Sequence, residues 1–296
     1  MVVDLHRLRF LREVAARGTM AAAAEALSYT PSAVSQQLAI LEKEFGTALL
    51  ERRGRNVALT PAGQALVDGS DEVFAAAERV TVAVEAVSGR VAGPVTIGAF
   101  QSAGLRLVPT ALVSLREEHP ELEVHLRQGL NVDLRDLQLG HVDICIDQEY
   151  DMLPHKRHLG LDARVLLEEP VFLAVPTGRD AGPDLAAYET YTWAASDDFD
   201  ECGELLRMTC RVSGYQPDVR FHTDDVEVTL RLVAAGLAVS ILPRLAAHDV
   251  PDGVTLHAVP GTQRRVKALT RPGTTSRPAI ALVLDHLCRS GGAASG

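Results

Sequence analysis

The side chains of this chain that could do chemistry fall into two sets. The first lies between residues 30 and 55. Thr30, Pro31, Ser32, Ser35 and Gln36 stand at the start of one segment, and Arg52, Arg53 and Arg55 follow in the next. Short donors and acceptors leading a helix, followed by a basic turn, are the groups that meet the base edges and phosphates of double-stranded DNA. The second set is sparser: Phe100, Gln101 and Ser102, then Ser196 ahead of Asp197, Asp198, Asp200 and Glu201, then His222 and Thr223. A hydroxyl at a helix start suits an anionic group, and a dense run of carboxylates suits a cationic or amine-bearing one. The plainer accounts are an N-cap at Ser102 and acidic residues drawn to a helix N-terminus by its dipole.

Other chemistry is absent from the pattern. No G-x-G-x-x-G follows a strand, no G-x-x-x-x-G-K-[ST] occurs, and Phe100 stands where a nucleophile elbow before Ser102 needs glycine, so no enzyme class is indicated and no cofactor is implied. His155 and His158 lack partners at metal-ligand spacing, which leaves no metal site. The four cysteines are too few for a disulfide scaffold. Cys202 and Cys210 stand eight residues apart, a rise of about 12 Å on an intact helix and too far for a disulfide without local unfolding. Buried apolar thiols are the plainer account.

The charge is divided. The 296 residues carry a net charge of −10, which taken alone argues against a polyanion partner. Residues 1–61 carry +2 and the remainder −12, so only the N-terminal segment suits nucleic acid. No run approaches the ~18 apolar residues of a membrane span. Charges at Asp4, Arg7, Arg9, Arg12 and Glu13 exclude a secretory apolar region, and a cytoplasmic protein with no membrane partner is expected.

The elements that must position the first set are legible in the spacing. Leu5, Leu8, Leu11, Val14 and Ala15 predict a helix over 5–17, broken by Gly18. Thr19 caps a second helix to Leu27, in which Ala21 to Ala24 admit a close neighbour. After the turn at Ser28 and Tyr29, Thr30 caps a third helix with Pro31 at its first position. Val34, Leu38, Leu41 and Phe45 form its buried stripe, Gly46 ends it, and Ser32, Ser35, Gln36 and Lys43 face the other way. Residues 49–59 read as a β-hairpin with its turn at Arg53 and Gly54, a wing bearing three arginines. Thr60 and Pro61 open a long helix to about Val87, where Leu66, Val73, Val80 and Val87 recur every seven residues as a dimerisation seam.

Residues 88–94 form a hinge by composition. Short apolar runs at 95–99, 122–126, 142–146, 170–175, 191–195 and 238–242 then alternate with helices. One helix is expected from residue 100 to about His119, and others at 134–139, 201–213, 225–235 and 280–287. This predicts mainly parallel sheet with helices on both faces.

Residues 4–64, with the alanine-rich helix, the run Thr30-Pro31-Ser32 to Val34-Ser35-Gln36-Gln37, the wing and the exit Leu59-Thr60-Pro61, resemble the N-terminal signature of LysR-type transcriptional regulators. Leu139 to Asp143, Arg211 to Pro217, and Val233 to Leu237 running to Pro243 resemble the effector half of that family more loosely. The resemblance implies an α/β protein with a winged helix-turn-helix over 4–61 and a linker helix over 62–90. The remainder, 91–296, would be a two-lobed effector domain like type 2 periplasmic binding proteins, with lobe 1 at about 91–164 and 269–296 and lobe 2 at about 169–263. It also implies a small-molecule effector in the cleft and a homodimer or homotetramer on promoter DNA. Thr30, Pro31, Ser32, Ser35 and Gln36 would meet the groove, and Arg52, Arg53 and Arg55 the backbone; Phe100, Gln101, Ser102, Ser196 and Thr223 would hold the effector. Many relatives carry arginine where this chain has Gln36, which reads adenine most naturally. Peroxide-sensing members use two cysteines near 202 and 210, so a thiol-based redox regulator is one alternative. A solute-binding protein is another, opposed by the first 60 residues and the missing signal peptide.

Overall fold

The computed structural model describes residues 3–53, 56–88, 91, 93–129, 134–156, 158, 160–197 and 200–295. Three helices open the chain: α1 (Leu5–Arg17), α2 (Met20–Leu27) and α3 (Pro31–Phe45). Each start is held by a side chain. Asp4 accepts from the His6 and Arg7 amides, Thr19 from Ala22 and Thr30 from Ala33. Each helix ends on a left-handed residue: Gly18, Ser28 and Gly46. Val34, Leu38 and Leu41 close a core with Phe10, Leu11, Val14, Leu49 and the small Ala23 and Ala24, with Phe45 at its edge.

The hairpin follows as β1 (Leu50–Arg53) and β2 (Asn56–Leu59), antiparallel with Arg53 opposite Asn56. Its turn residues Gly54 and Arg55 lie outside the described residues. The hairpin is tied back at both ends, by Glu42 Oε1 accepting from the Leu49 and Leu50 amides and by the Val57 amide donating to the Gly18 carbonyl. Helix α4 (Pro61–Ser88) then runs away from the head. Gly63 in its first turn lets the helix approach the hairpin, because a Cβ there would lie 2.1 Å from the Leu49 carbonyl oxygen.

The remaining elements are β3 (Val95–Ala99), α5 (Gln101–Arg106), α6 (Val108–Glu118), β4 (Val124–Gln128), α7 (Leu134–Leu139), β5 (Ile144–Tyr150), β6 (Asp162–Pro176) and β7 (Thr192–Ala195). After them come α8 (Glu201–Val212), β8 (Asp218–His222), α9 (Val226–Ala234), β9 (Ser240–Pro243), β10 (Val254–Thr270) and α10 (Pro278–Ser295). Six strands form one sheet in the order β4-β3-β5-β10-β6-β9, and β7 pairs with β8. One core gathers around β3, β5, α6 and α10, the other around β7, α8 and the distal part of β6. Strands β6 and β10 thread through both. Their register breaks between Ala258 and Gln263, opposite Pro170, where proline offers no N–H to a ladder.

Two expectations are corrected. The large sheet is mixed rather than mainly parallel: β3 runs parallel to β4 and β5, but β5–β10, β10–β6 and β6–β9 are antiparallel. The cause is β10, which returns between β5 and β6 and was not read as a strand. The helix expected from residue 100 to 119 is two, because Pro109 begins a fresh first turn in α6.

Gly63→Ala should lower the stability of the full chain by about 1–3 kcal/mol through overpacking against fixed backbone. Gly69→Ala on the same helix has nothing within 4 Å of the added carbon and should be neutral or stabilising by up to about 1 kcal/mol. Denaturant unfolding of both variants checks this contrast.

Candidate functional site

The stripe of α3 that enters the core turns its opposite face outward. Thr30, Pro31, Ser32, Ser35 and Gln36 are all exposed, with Val34 and Leu38 buried behind them. The Thr30 hydroxyl lies 3.0 Å from that of Ser32 and receives the Ala33 amide, so the helix start is preorganised. On its flank α3 is fastened to α1: Arg7 Nε donates to Gln37 Oε1 at 3.2 Å and its guanidinium pairs with Glu44. Gln37 is thereby committed to the fold, whereas Gln36 is open. Arg52 is exposed on the hairpin. Arg53 ends β1, and Arg55 lies outside the described residues.

The second set assembles where the two cores meet. Phe100, Gln101 and Ser102 occupy the β3–α5 turn, with Phe100 at the cap position. The β7 and β8 ends carry Ser196 and Thr223 side by side, since the Thr223 amide donates to the Ala195 carbonyl. Thr223 Oγ1 accepts the Asp225 amide and so shapes the first turn of α9. Gln101 crosses the gap, its Oε1 accepting from the Val226 amide at 3.4 Å. Ser196 is 8% exposed, and its hydroxyl has no hydrogen-bond partner among the described residues.

Sequence reasoning missed the charged residue at this meeting of the two cores. Arg264 is only 2% exposed. It donates from Nε to Glu169 Oε1 at 2.6 Å and from Nη1 to Gln148 Oε1 at 2.9 Å and to the Ser102 hydroxyl at 3.3 Å, and its guanidinium lies 5.1 Å from the centre of the Phe100 ring. Burial works against its charge, but the neighbouring Tyr150 and Glu169 outweigh burial and hold its pKa above the usual value. Ser102 is therefore neither a helix cap nor a free hydroxyl awaiting an anion; it serves a buried cation. The only signal for Arg264 in the sequence was a charged residue in the segment 254–270.

The cysteines bear on the redox alternative. Cys202 and Cys210 both lie on α8, and none of the four cysteines is in a disulfide. Cys202 Sγ lies 3.2 Å from the Tyr150 hydroxyl. Burial pushes both thiols up, Cys210 to about 11. A thiol held protonated at neutral pH is a poor nucleophile.

Lys156 serves two carboxylates, Asp147 at 2.9 Å and Glu201 at 2.6 Å. Its ammonium is stabilised: burial opposes the charge and the two carboxylates more than compensate. Glu201 is pushed up to about 7, because burial outweighs the attraction of Lys156, and Asp147 and Asp200 add repulsion. The expected acidic run is thus dispersed: Asp200 caps α8, Glu201 holds Lys156, Asp197 lies 3.8 Å from His222, and Asp198 falls outside the described residues. No group of three or more potential ligands could hold a metal ion among the described residues, and no described helix is long and apolar enough to cross a membrane.

Residues 5–64 match the family described as bacterial regulatory helix-turn-helix protein, lysR family, and residues 88–291 match the LysR substrate binding domain. The chain belongs to the LysR family of transcriptional regulators. This LysR-type regulator is 27% identical over 298 residues to the probable HTH-type transcriptional regulator LrrA of Synechococcus elongatus, covering 96% of each chain. Its fold is similar to that of CbnR complexed with its target DNA (TM-score 0.55, 23% identity, 98% of this chain and 100% of the other). It is also similar to a full-length OxyR variant from Pseudomonas aeruginosa (TM-score 0.67, 21% identity, 97% and 95%). The N-terminal helices and hairpin are therefore a DNA-binding unit, α4 is the long connecting helix, and the α/β half is the effector-binding domain of a DNA-binding transcriptional regulator rather than an enzyme.

Glu201 sets a pH dependence whose sign follows from its raised value. Between its ordinary 4.5 and about 7 the folded chain keeps a proton that the unfolded chain has lost, so stability falls as pH rises through that window and levels off above it. Glu201→Gln should remove this slope. The wild type should lose up to about 3 kcal/mol relative to the variant between pH 4.5 and 7.5, measured by urea unfolding at each pH.

Proposed function

We propose that this regulator reads promoter DNA with the exposed start of α3, grips the backbone through the wing, and is switched by a small molecule held between its two lobes. On this reading residues 4–61 are the DNA-binding domain, 62–90 the linker and dimerisation helix, and 91–296 the effector domain, with lobe 1 at about 91–164 and 269–296 and lobe 2 at about 169–263. Thr30, Pro31, Ser32, Ser35 and Gln36 make the groove contacts, and Arg52, Arg53 and Arg55 the backbone contacts. The place of work is the cytoplasm, where promoter DNA lies. Support for groove reading comes from the uncommitted polar face of α3 and from the similar fold that was solved on target DNA.

The observation that carries the effector site is the buried hydroxyl of Ser196, unpartnered among the described residues, beside Thr223 and across from Gln101. A buried polar group is costly unless something bonds it, and a ligand hydroxyl, amine or carboxylate would. Phe100 and Ser102 contribute by holding Arg264, whose charge Glu169 answers. An amino-acid-like effector would bring both an amine and a carboxylate to Ser196 and Thr223. A thermal-shift screen of amino acids on the full chain tests this reading, because ligand binding to the folded state raises Tm. The stabilising compound should lose its effect with Ser196→Ala, while DNA affinity without ligand stays within twofold. An unchanged shift in Ser196→Ala and Thr223→Val would place the effector elsewhere.

Assembly as a homodimer or homotetramer is supported by two separate exposed surfaces. Along α4, Val73, Val80, Val84 and Val87 stand out to solvent, with Val80 at 66% and Val87 at 90% exposure. In the α/β half, β4 and β8 are edge strands, and unpaired edges invite a second chain. One self-contact makes a dimer; two make a closed tetramer. Val80→Asp should lower the oligomer mass in light scattering without loss of helical circular dichroism, because an unpaired charge in an apolar seam is costly.

Gln36→Ala should cost about 1–3 kcal/mol on the best site and relax preference at one base pair. Arg52→Ala should weaken binding to all sequences and reduce the salt dependence. Competition binding against random duplex separates the two effects.

A further inference from the structure

Helix α1 of the DNA-binding unit and helix α7 of the effector domain touch through charge. Glu13 on α1 is fully buried, and its carboxylate bonds Arg17 of the same helix at 3.0 Å and His141, which follows α7. Arg17 continues the chain of contacts to Asp136 at 3.0 Å. Arg12 Nη2 reaches the Gln138 carbonyl at 3.1 Å and Asp71 of α4 at 2.6 Å, and Arg135 donates to the Ala16 carbonyl at 3.2 Å. Burial pushes Glu13 upward, but the bonds from His141 and Arg17 outweigh it and hold the carboxyl below its usual range.

Three features set this contact apart from ordinary packing. The core of the helix-turn-helix and the small core around Leu137, Val142, Cys145 and Leu269 are each closed, and neither includes residues of the other unit. Beside the polar bridge lies a cavity of about 930 Å³, lined by Ala16 of α1, Phe74 and Ala77 of α4, Leu139 and Arg271, so the bridge is narrow. Finally, α7 leads through Val142 into β5, whose far end carries Gln148 against Arg264. The bridge and Arg264 are joined by one buried strand.

We propose that Glu13, Arg17, Asp136 and His141 form a releasable latch by which the effector domain holds the DNA-binding unit of its own chain in one orientation. Closed, the latch fixes where α3 points relative to the cleft. Open, it leaves α4 as the remaining tie. Contacts between separately cored domains that are small and polar are those that open most readily, and a buried carboxylate answered from another domain has its partner removed when they part. The proposal concerns how the DNA-binding unit is held, and it rests on the family assignment only for what that unit does.

Charge reversal and exchange in the full chain test it. Arg17→Asp places a third carboxylate beside Glu13 and Asp136, and Asp136→Arg faces Arg17 with a like charge; each should open the latch. The double variant Arg17→Asp with Asp136→Arg restores opposite charges and should close it. Small-angle X-ray scattering without DNA should give a larger radius of gyration for each single variant than for wild type, and the wild-type profile for the double. Circular dichroism and thermal unfolding identify a single variant that has merely lost its fold, in which case Arg135→Ala, which removes the bond from α7 to the Ala16 carbonyl, replaces it and should show the same expansion. On the duplex that wild type selects from a random-sequence pool, the single variants should give an altered DNase footprint that the double restores. Folded single variants with the wild-type scattering profile would overturn the latch. An expansion that the exchanged pair fails to reverse would overturn it equally, since the charges would then not be what holds the units together.

Discussion

A full positive charge buried where two lobes meet must be answered on every side, and the guanidinium of Arg264 imposes that demand here. Its partners come from three different stretches of chain: Glu169 on β6, Gln148 on β5, and Ser102 and Phe100 on the β3–α5 turn. Glu169 in turn accepts the Leu245 amide with its second oxygen. Removing one member of such a set leaves an uncompensated charge in a dry place, typically a loss of about 3–5 kcal/mol. Arg264 thereby ties β5, β6 and the β3–α5 turn together.

Charge organises the strands around Arg264 as well. Arg265 faces Glu149 on one side and Glu168 on the other, and Lys267 also reaches Glu149. Burial raises the Glu149 carboxyl, but Lys267 and Arg265 together hold it below its ordinary value. These cross-strand pairs let a strand rich in cations run through the middle of a sheet in a chain that is acidic overall. They also align β5, β6 and β10, which carry the connection between the lobes.

How far the sequence disclosed this arrangement depended on the range of the contacts. Thr19 and Thr30 as caps, Gly18 and Gly46 as stops, and the stripe from Val34 to Leu41 were legible, because bonds three or four residues apart and one buried face define them. The position of Phe100, Gln101 and Ser102 at a strand-to-helix turn was legible for the same reason. The strand β10 was not. Its cations have no local reason to lie in the middle of a sheet; Glu149, Glu168 and Glu169, nearly a hundred residues or more away, supply it. The two-helix path through Pro109 was open to a local reading and was passed over.

By itself, the sequence determined the reading head, its exposed polar face, the long valine-bearing helix and the family to which all of this belongs. Each of these rests on local periodicity, capping chemistry or a contiguous motif. Only the tertiary structure decided that the Ser102 hydroxyl serves Arg264, that Ser196 is buried without a partner among the described residues, and that Glu13 is covered by His141 from another domain. A polar side chain has no fixed meaning until its surroundings remove the water around it. That removal is the work of segments far apart in the chain, so what each such group must bond is settled only when they meet.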